Sequence, residues 1–170
     1  MTPIRSAALL TVLGALAALA AAFSAEWWGH LVPCPLCLLE RWPYRIVLAL
    51  GLIAFVLPPR AARGVLVLAF AAMLGGVILG AVHVGVEHGW WPSPLPECSA
   101  PHLSGSIADR LAAMPLRPEM PCDTPVYVLG PVPLSLAALN LLYALAFSLF
   151  LLAAVTRPIP RRRIGGKGYA

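Results

Sequence analysis

Four long apolar stretches, separated by polar segments, leave few folds open to this sequence. A helix needs roughly 20 apolar residues to cross the ~30 Å hydrocarbon core of a bilayer, and three of the stretches approach that length. The remaining stretch, 44–57, is the second along the chain, and it reaches that length only if its helix also includes 38–42. The sequence therefore predicts an all-α membrane protein, a bundle of four transmembrane helices. The predicted spans cover about 4–24, 38–57, 64–86 and 134–155, with extracytoplasmic loops at about 25–37 and 87–133.

The composition also favours a location in the lipid bilayer. Of the 170 residues, 60% are hydrophobic and 11% are charged, and the mean hydropathy is +0.84, whereas about a quarter of the residues of a soluble domain are charged. The length is that of one ordinary domain, so we predict a single integral membrane domain over 1–170. Because the basic residues lie at predicted helix ends instead of forming a patch, the net charge of +5 does not predict a nucleic-acid partner.

Basic and acidic residues are sorted between the two ends of the predicted spans. The segments before the first span, between the second and third, and after the fourth contain basic residues and no acidic ones. The positive-inside rule makes these segments cytoplasmic, so both termini face the cytoplasm and the number of spans is even. The basic residues concerned are Arg5, Arg60, Arg63, Arg157, Arg161, Arg162, Arg163 and Lys167.

The first stretch has a second interpretation, a cleaved signal peptide. Arg5 would be its charged region, followed by a core of Ala and Leu and by small residues at 22–25. A span is favoured because the apolar run is longer than a usual signal core and because Trp27 and Trp28 resemble an interfacial aromatic belt. Cleavage would leave the cysteines in place.

All the cysteines fall on the extracytoplasmic side of this topology, with Cys34 and Cys37 in the first loop and Cys98 and Cys122 in the second. An oxidising compartment permits disulfides, and an even count divided between two loops suggests one pair in each. Four cysteines nevertheless allow three pairings, so the connectivity stays open.

Of the two cysteine pairs, the first is the more specific indication of redox chemistry, because its motif CPLC at 34–37 directly precedes a predicted helix. A helix N-terminus favours the thiolate, which is the attacking and electron-donating form of a cysteine. One alternative is a bridge that only staples the loop, although so small a ring restricts little chain entropy. Another is a zinc site completed by Cys98 and Cys122, which lie too far apart in sequence to resemble a second close-spaced ligand pair.

The second loop is long and rich in Pro, Ser and Gly, which is typical of a functional or mobile segment. We therefore expect its cysteines to be accessible to a thiol protein. A short helix is predicted in this loop at about 106–114, lying on the membrane surface with Ile107, Leu111 and Met114 on one face. An irregular loop is the alternative.

The order of these motifs along the chain resembles the DsbB family of disulfide bond formation proteins. CPLC is followed by Leu38, Leu39, Glu40 and Arg41, then by Glu87 and His88 at the end of the third span, and then by Cys98 and Cys122 before the fourth. The resemblance covers essentially the whole chain. It implies an inner-membrane oxidoreductase that reoxidises a DsbA-like periplasmic thiol oxidoreductase and passes the electrons to a membrane quinone, ubiquinone or menaquinone.

The resemblance also implies a role for individual residues. Cys98 is similar to the loop cysteine that forms a mixed disulfide with the thiol partner, and Cys122 to the cysteine that then attacks Cys34. Cys37 resembles the thiolate that meets the quinone ring. Two further residues, Arg41 and His88, match residues of the quinone site.

Arg41 has an independent argument, because it lies one helical turn after Cys37 and on the same helix face. A fixed cation at this position would stabilise the negative charge that develops on a quinone oxygen. The alternative for Arg41 and Arg45 is interfacial snorkelling. For His88 the alternative is contact with lipid head groups, the role also expected of His30, His83 and His102.

Three other functions remain open. One is a DsbI-like relative of the family that serves a dedicated thiol partner. Another is a quinone-coupled oxidoreductase similar to vitamin K epoxide reductase, although the cysteine spacing differs. The third is a membrane subunit whose disulfides only brace its loops.

Overall fold

The computed structural model describes residues 3–98, 106–108, 120–127 and 133–157. It contains helices α1 (Pro3–Trp27), α2 (Pro35–Leu39), α3 (Arg41–Val56), α4 (Pro59–Glu87) and α5 (Leu136–Thr156), with a 3₁₀ turn at Pro96–Cys98. Between the described residues, β-type pairing is confined to one isolated bridge that joins Tyr127 to Ser135. The predicted all-α class is therefore confirmed.

Three of the helices, α1, α4 and α5, are long and apolar enough to cross a membrane. They contain 25, 29 and 21 residues and correspond to the first, third and fourth predicted spans. The chain is therefore a membrane protein.

The helix α4 ends at His88 and Gly89. The φ of Gly89 is +68°, the left-handed conformation that commonly ends a helix.

The second predicted span, 38–57, differs from the prediction because it is not one helix. The short helix α2 ends at Leu39, and α3 begins at Arg41 after a junction at Glu40. Pro43 explains the break, since it has no N–H to donate to the carbonyl of Leu39 and its ring crowds that carbonyl. With 16 residues, α3 is about 24 Å long at 1.5 Å per residue, which is shorter than the hydrocarbon core.

The helices pack as antiparallel neighbours, with α3 between α1 and α4 and with α5 against α4. Small residues recur at every fourth position of α4, at Ala72, Gly76 and Gly80, and this spacing permits the close approach of helix backbones. A Cβ placed on Gly76 would lie 3.2 Å from Pro43 Cβ in α3, and one on Gly80 would lie 3.3 Å from Leu141 Cα in α5. The glycine face of α4 therefore holds two neighbouring helices at once.

Two regions with sequence-based predictions lie largely or wholly outside the described residues. The predicted surface helix at 106–114 is described only at 106–108, where Ile107 and Ala108 are helical. His102 and the basic residues after Arg157 are also outside the described ranges.

Candidate functional site

The CPLC motif forms the first turn of α2 and closes on itself. Cys34 is the N-cap residue of this helix, and the backbone N–H of Cys37 donates to Cys34 Sγ at 3.0 Å. Pro35 occupies the first helical position, where a missing N–H costs nothing. A disulfide joins Cys34 to Cys37. Cys34 is buried, whereas Cys37 is half-buried, so Cys37 is the more accessible of the two.

A second disulfide joins Cys98 to Cys122, so the structure selects one of the three pairings that the sequence left open. The backbone N–H of Cys122 also donates to the carbonyl of Cys98 at 3.4 Å. Together with Leu36 and Val86, both residues belong to a buried cluster that includes Cys34. The fold therefore brings the two cysteine pairs together at one end of the bundle.

The second disulfide is less accessible than we expected from its loop. Cys98 is 4% exposed and Cys122 is 1% exposed. A protein thiol can attack a sulfur only in line with the disulfide and in contact with it. Attack on Cys98 therefore requires the surrounding structure to open.

A chain of polar side chains begins at Cys34 and connects four elements of the fold. His83 Nε2 lies 3.6 Å from Cys34 Sγ, and His83 Nδ1 lies 3.0 Å from Glu40 Oε1. The amide of Asn140 donates to Glu40 Oε2 at 2.9 Å, and the hydroxyl of Tyr44 donates to Asn140 Oδ1 at 2.8 Å. This network links α2, the start of α3, α4 and α5.

The helix break explains how Glu40 enters this network. Glu40 occupies the junction between α2 and α3 and is buried. A buried carboxylate is costly unless other groups bond to it, and His83 and Asn140 each contact one of its oxygens. The junction that interrupts the predicted span therefore also positions a carboxylate beside the imidazole.

Arg41 is directed inward and forms an ion pair. Its Nη2 donates to Glu26 Oε1 at 2.7 Å, its guanidinium lies 5.2 Å from the ring centroid of Phe23, and its side chain is 9% exposed. Arg45 is exposed, with its guanidinium 5.3 Å from the ring centroid of Trp42. The two arginines therefore differ, since Arg41 is buried against α1 and Arg45 has a surface position.

A cavity of about 450 Å³ opens beside the first disulfide. Its wall is mostly apolar and is formed by all five helices and by residues near Cys122. This size and this lining are typical of small-molecule sites. The titratable and charged groups that line it are Glu26, Cys34, Cys37, Glu40, Arg41, Tyr44, His83, Glu87 and Tyr143.

His83 of α4 and His88, the C-cap residue of that helix, have positions opposite to those expected. His88 is exposed at the end of the helix, with Nδ1 2.9 Å from the carbonyl of Val84 and its ring 5.2 Å from the ring of Trp90, and it does not line the cavity. His83, for which we predicted no role at the site, touches Cys34. The sequence contained a signal for it, because His83 follows Gly76 and Gly80 by seven and three residues and so shares their buried face.

In the described part of the chain, the atoms of the group that could hold a metal ion are already engaged. The sulfurs of Cys34 and Cys37 lie within 4.8 Å of a ring nitrogen of His83. Because these sulfurs are bonded to each other, they are not thiolates and offer a metal ion no strong ligand. The arrangement is suited to thiol–disulfide exchange, in which Cys34 and Cys37 alternate between disulfide and dithiol.

Comparison with known proteins identifies the family of this chain. Residues 4–154 match the family model of the Disulfide bond formation protein DsbB. The chain belongs to the DsbB family. The resemblance carried by CPLC, Arg41 and the later cysteines is therefore confirmed, and membership of the DsbB family together with two disulfides fits a role in disulfide bond formation.

Individual relatives match the chain over shorter segments. The Disulfide bond formation protein B of Acinetobacter baylyi (strain ATCC 33305 / BD413 / ADP1) is 33% identical over 108 residues, which cover 64% of this chain and 61% of that protein. The Uncharacterized protein RP370 of Rickettsia prowazekii (strain Madrid E) is 33% identical over 81 residues, or 48% of this chain and 46% of that protein. The matched segments thus span about half to three fifths of these relatives. No solved structure matches the chain.

Proposed function

We propose that this chain is an inner-membrane oxidoreductase that generates disulfides. It takes two electrons from a DsbA-like periplasmic dithiol protein and passes them through its two cysteine pairs to a membrane quinone. The observation that carries the proposal is the shared burial of Cys34, Cys98 and Cys122 in one cluster, with half-buried Cys37 lining the adjacent cavity.

The first half of the reaction is thiol–disulfide exchange at the second pair. A partner thiolate attacks Cys98, which breaks the Cys98–Cys122 bond, forms a mixed disulfide and releases Cys122 as a thiolate. The second thiolate of the partner then breaks the mixed disulfide and releases Cys98. The partner leaves oxidised, and the Cys98 and Cys122 pair holds two more electrons than before.

The second half transfers these electrons to the first pair. Cys122 attacks Cys34 and releases Cys37 as a thiolate. Cys98 then attacks Cys122, which breaks the Cys122–Cys34 bond, restores the second disulfide and releases Cys34 as a thiolate that takes up a proton. Cys34 and Cys37 are then the reduced pair. The packing of Cys34 and Cys122 in one buried cluster supports this direct exchange.

The residues around the cavity fit a quinone. When bound, a quinone accepts two electrons and two protons. Cys37 would supply the electrons from the edge of the cavity, and the apolar wall would hold the ring. Arg41 lines the same cavity, and since a guanidinium has five N–H donors, it can bind Glu26 and a carbonyl oxygen together. His88 was implied by the family resemblance, but its exposed position outside the cavity supports no contact with the quinone in this conformation.

We further propose that α2 and α3 together form the fourth span. Residues 35–56 lie between two helices of spanning length, and α3 packs against both. An even number of spans puts Arg5, Arg60 and Arg157 on the cytoplasmic side, together with both termini. The cysteines would then face the periplasm.

Purified protein in lipid tests the proposed function. With a reduced DsbA-like donor, we expect loss of the absorbance of oxidised ubiquinone or menaquinone, dependent on both donor and chain. Cys37→Ser should abolish quinone reduction. Cys98→Ser should block electrons from the protein donor but retain activity with a small dithiol that reduces Cys34–Cys37 directly. Quinone reduction by Cys37→Ser at the parental rate would contradict the assignment.

Burial of the second disulfide favours one competing function, a loop-bracing role for Cys98 and Cys122. Thiol trapping during turnover distinguishes the two functions. If the two cysteines transfer electrons, they are trapped during turnover as free thiols or as a mixed disulfide with the donor. If they only brace the loop, they stay oxidised. If only one particular thiol protein is trapped and DsbA-like donors are not, the chain serves a dedicated partner in the manner of a DsbI-like relative.

A further inference from the structure

We propose that His83, oriented by Glu40, accepts the proton of the Cys34 thiol when the Cys34–Cys37 disulfide re-forms. This inference rests on the proposed function and adds a proton acceptor to the electron route. His83 would be a catalytic residue because it touches a reacting sulfur, and Glu40 a positioning residue because it acts through His83.

The geometry is that of a base held by a carboxylate. The Nε2 side of the imidazole faces Cys34 Sγ at 3.6 Å, and its Nδ1 side faces Glu40 Oε1 at 3.0 Å. A carboxylate on one ring nitrogen fixes the tautomer and orientation of the ring, and it offsets the charge gained when the other nitrogen takes a proton. Asn140 holds the second oxygen of Glu40 at 2.9 Å, so the carboxylate itself is fixed.

Burial makes a local acceptor necessary. His83 is 3% exposed and Cys34 is 4% exposed, so bulk water cannot readily take a proton from this sulfur. His83 must therefore be compared with the other titratable groups that surround it.

Those groups are engaged elsewhere in the described part of the chain. Glu87, on the same helix, accepts from the hydroxyl of Ser135, and Glu26 of α1 is paired with Arg41. Tyr44 of α3 and Tyr143 of α5 donate to Asn140 and to the carbonyl of Gly14. Glu40 contacts His83 rather than the cysteine. Among the described residues, His83 is thus the titratable side chain in hydrogen-bond contact with Cys34 Sγ.

The proposed step conserves electrons and protons. In the reduced pair, Cys37 is the thiolate that the exchange with Cys122 released, and Cys34 is a thiol. The bond between Cys34 and Cys37 then forms while the S–H bond of Cys34 breaks, and His83 Nε2 takes that proton. A bound quinone would accept the two electrons together with two protons, one from His83 and one from the aqueous phase, into which the partner's thiols released theirs. His83 ends the cycle neutral.

Alkylation of Cys34 in the reduced, full-length protein tests the inference without any quinone. Rates with iodoacetamide are measured across a pH series, and tandem mass spectrometry separates Cys34 from the other cysteines. We expect His83→Gln to slow Cys34 alkylation several-fold near pH 7 and to leave the rate at high pH unchanged, where the thiol ionises without help. Alkylation of Cys98 should not change. His88→Gln, at the C-cap of the same helix, is the matched control and should show the parental dependence of the Cys34 rate on pH.

Glu40→Gln provides a second variant that leaves the imidazole in place. It should shift the dependence of the Cys34 alkylation rate on pH in the same direction as His83→Gln, but by less. If His83→Gln fails to fold, as judged by loss of its thermal unfolding transition, this variant decides the question. If folded His83→Gln shows the parental dependence of the Cys34 alkylation rate on pH, the inference is wrong. If His83→Gln does not fold, a parental dependence in Glu40→Gln overturns the inference.

Quinone turnover gives a separate readout. General acid–base catalysis contributes on the order of 10²-fold or more, so His83→Gln should lower the rate of quinone reduction by about that factor, whereas His30→Gln, at an exposed position outside the cavity, should not. A chain that never reduces quinone yet shows an alkylation profile dependent on His83 would refute the proposed function and leave the proton contact standing. Normal quinone reduction by His83→Gln would refute only the inference.

Discussion

Arg41 illustrates at the residue scale how the fold changes the meaning of a sequence motif. From its spacing it would be a lone cation beside Cys37, but the structure pairs it with Glu26 of α1 at 2.7 Å. The ion pair compensates its charge and fixes its position, because a charge-assisted hydrogen bond is directional. Glu26 therefore becomes a positioning residue of the proposed quinone site.

Substitution at this pair should raise the quinone concentration required for half-maximal activity. Hydrogen bonds to charged groups contribute about 1.5–3 kcal/mol, so Arg41→Ala should raise the half-saturating concentration by roughly 10- to 100-fold. Glu26→Gln should act in the same direction but less, because the arginine remains and only its orientation is loosened. Steady-state quinone reduction with a fixed, saturating thiol donor measures both effects.

Arg45→Ala is the control for this prediction, since Arg45 is exposed and stacks on Trp42 outside the cavity. It should keep the parental quinone requirement. An equal effect of Arg45→Ala would mean that net positive charge near the bilayer surface, and not the position of Arg41, determines quinone binding.

At the scale of elements, α4 combines a packing face with a reactive end. Its glycines admit α3 and α5 so closely that His83, further along the same face, reaches Cys34 and Glu40. The break between α2 and α3 supplies the complementary half of the arrangement by burying Glu40. The site is therefore assembled from helix ends and junctions that close packing brings together.

Gly80→Val should destabilise the bundle, because its Cβ would lie 3.3 Å from Leu141 Cα, a backbone atom that cannot move aside easily. Overpacking typically costs about 1–3 kcal/mol, so we expect a lower temperature of thermal unfolding for the protein in lipid. Gly75→Val is the matched control on the same helix, since its Cβ would meet nothing within 4 Å. Equal unfolding temperatures for the two variants would show that the contact between α4 and α5 tolerates a larger side chain.

At the scale of the whole molecule, the cysteine pairs lie at the opposite end of the bundle from three of its basic residues. The disulfides lie beside the C-terminal ends of α1 and α4, whereas Arg5, Arg60 and Arg157 lie at the other ends of the helices. A relay that links a periplasmic thiol protein to the membrane needs this polarity. It also requires the interrupted α2–α3 segment to cross the bilayer.

Labelling of intact cells with a membrane-impermeant maleimide tests that crossing. In a chain whose native cysteines are replaced by serine, Trp28→Cys should be labelled from the periplasmic side, whereas Arg60→Cys should be labelled only after permeabilisation. Both positions are exposed, and they flank the α2–α3 segment. Labelling of both from the same side would rule out the fourth span and with it the proposed topology.

The sequence pattern was sufficient to predict the fold class and the family. Apolar runs near the length of a bilayer core predicted α1, α4 and α5 because hydrocarbon forces each backbone polar group into an internal bond. The CPLC motif and the later cysteines identified the DsbB family because they form a fixed order along the chain. These features depend on neighbours in sequence, so they could be predicted without coordinates.

The contacts that define the site depended on helices distant in sequence, and only the tertiary structure decided them. Three contacts join separate helices or distant loops: the Cys98–Cys122 disulfide, the ion pair between Arg41 and Glu26, and the contact of His83, not His88, with Cys34. Periodicity placed His83 on the buried face of α4, but it could not show which side chains of α2 and α3 would meet it there. Packing determined that, because the glycines of α4 and the break at Pro43 fix how closely the helices approach and where Glu40 points.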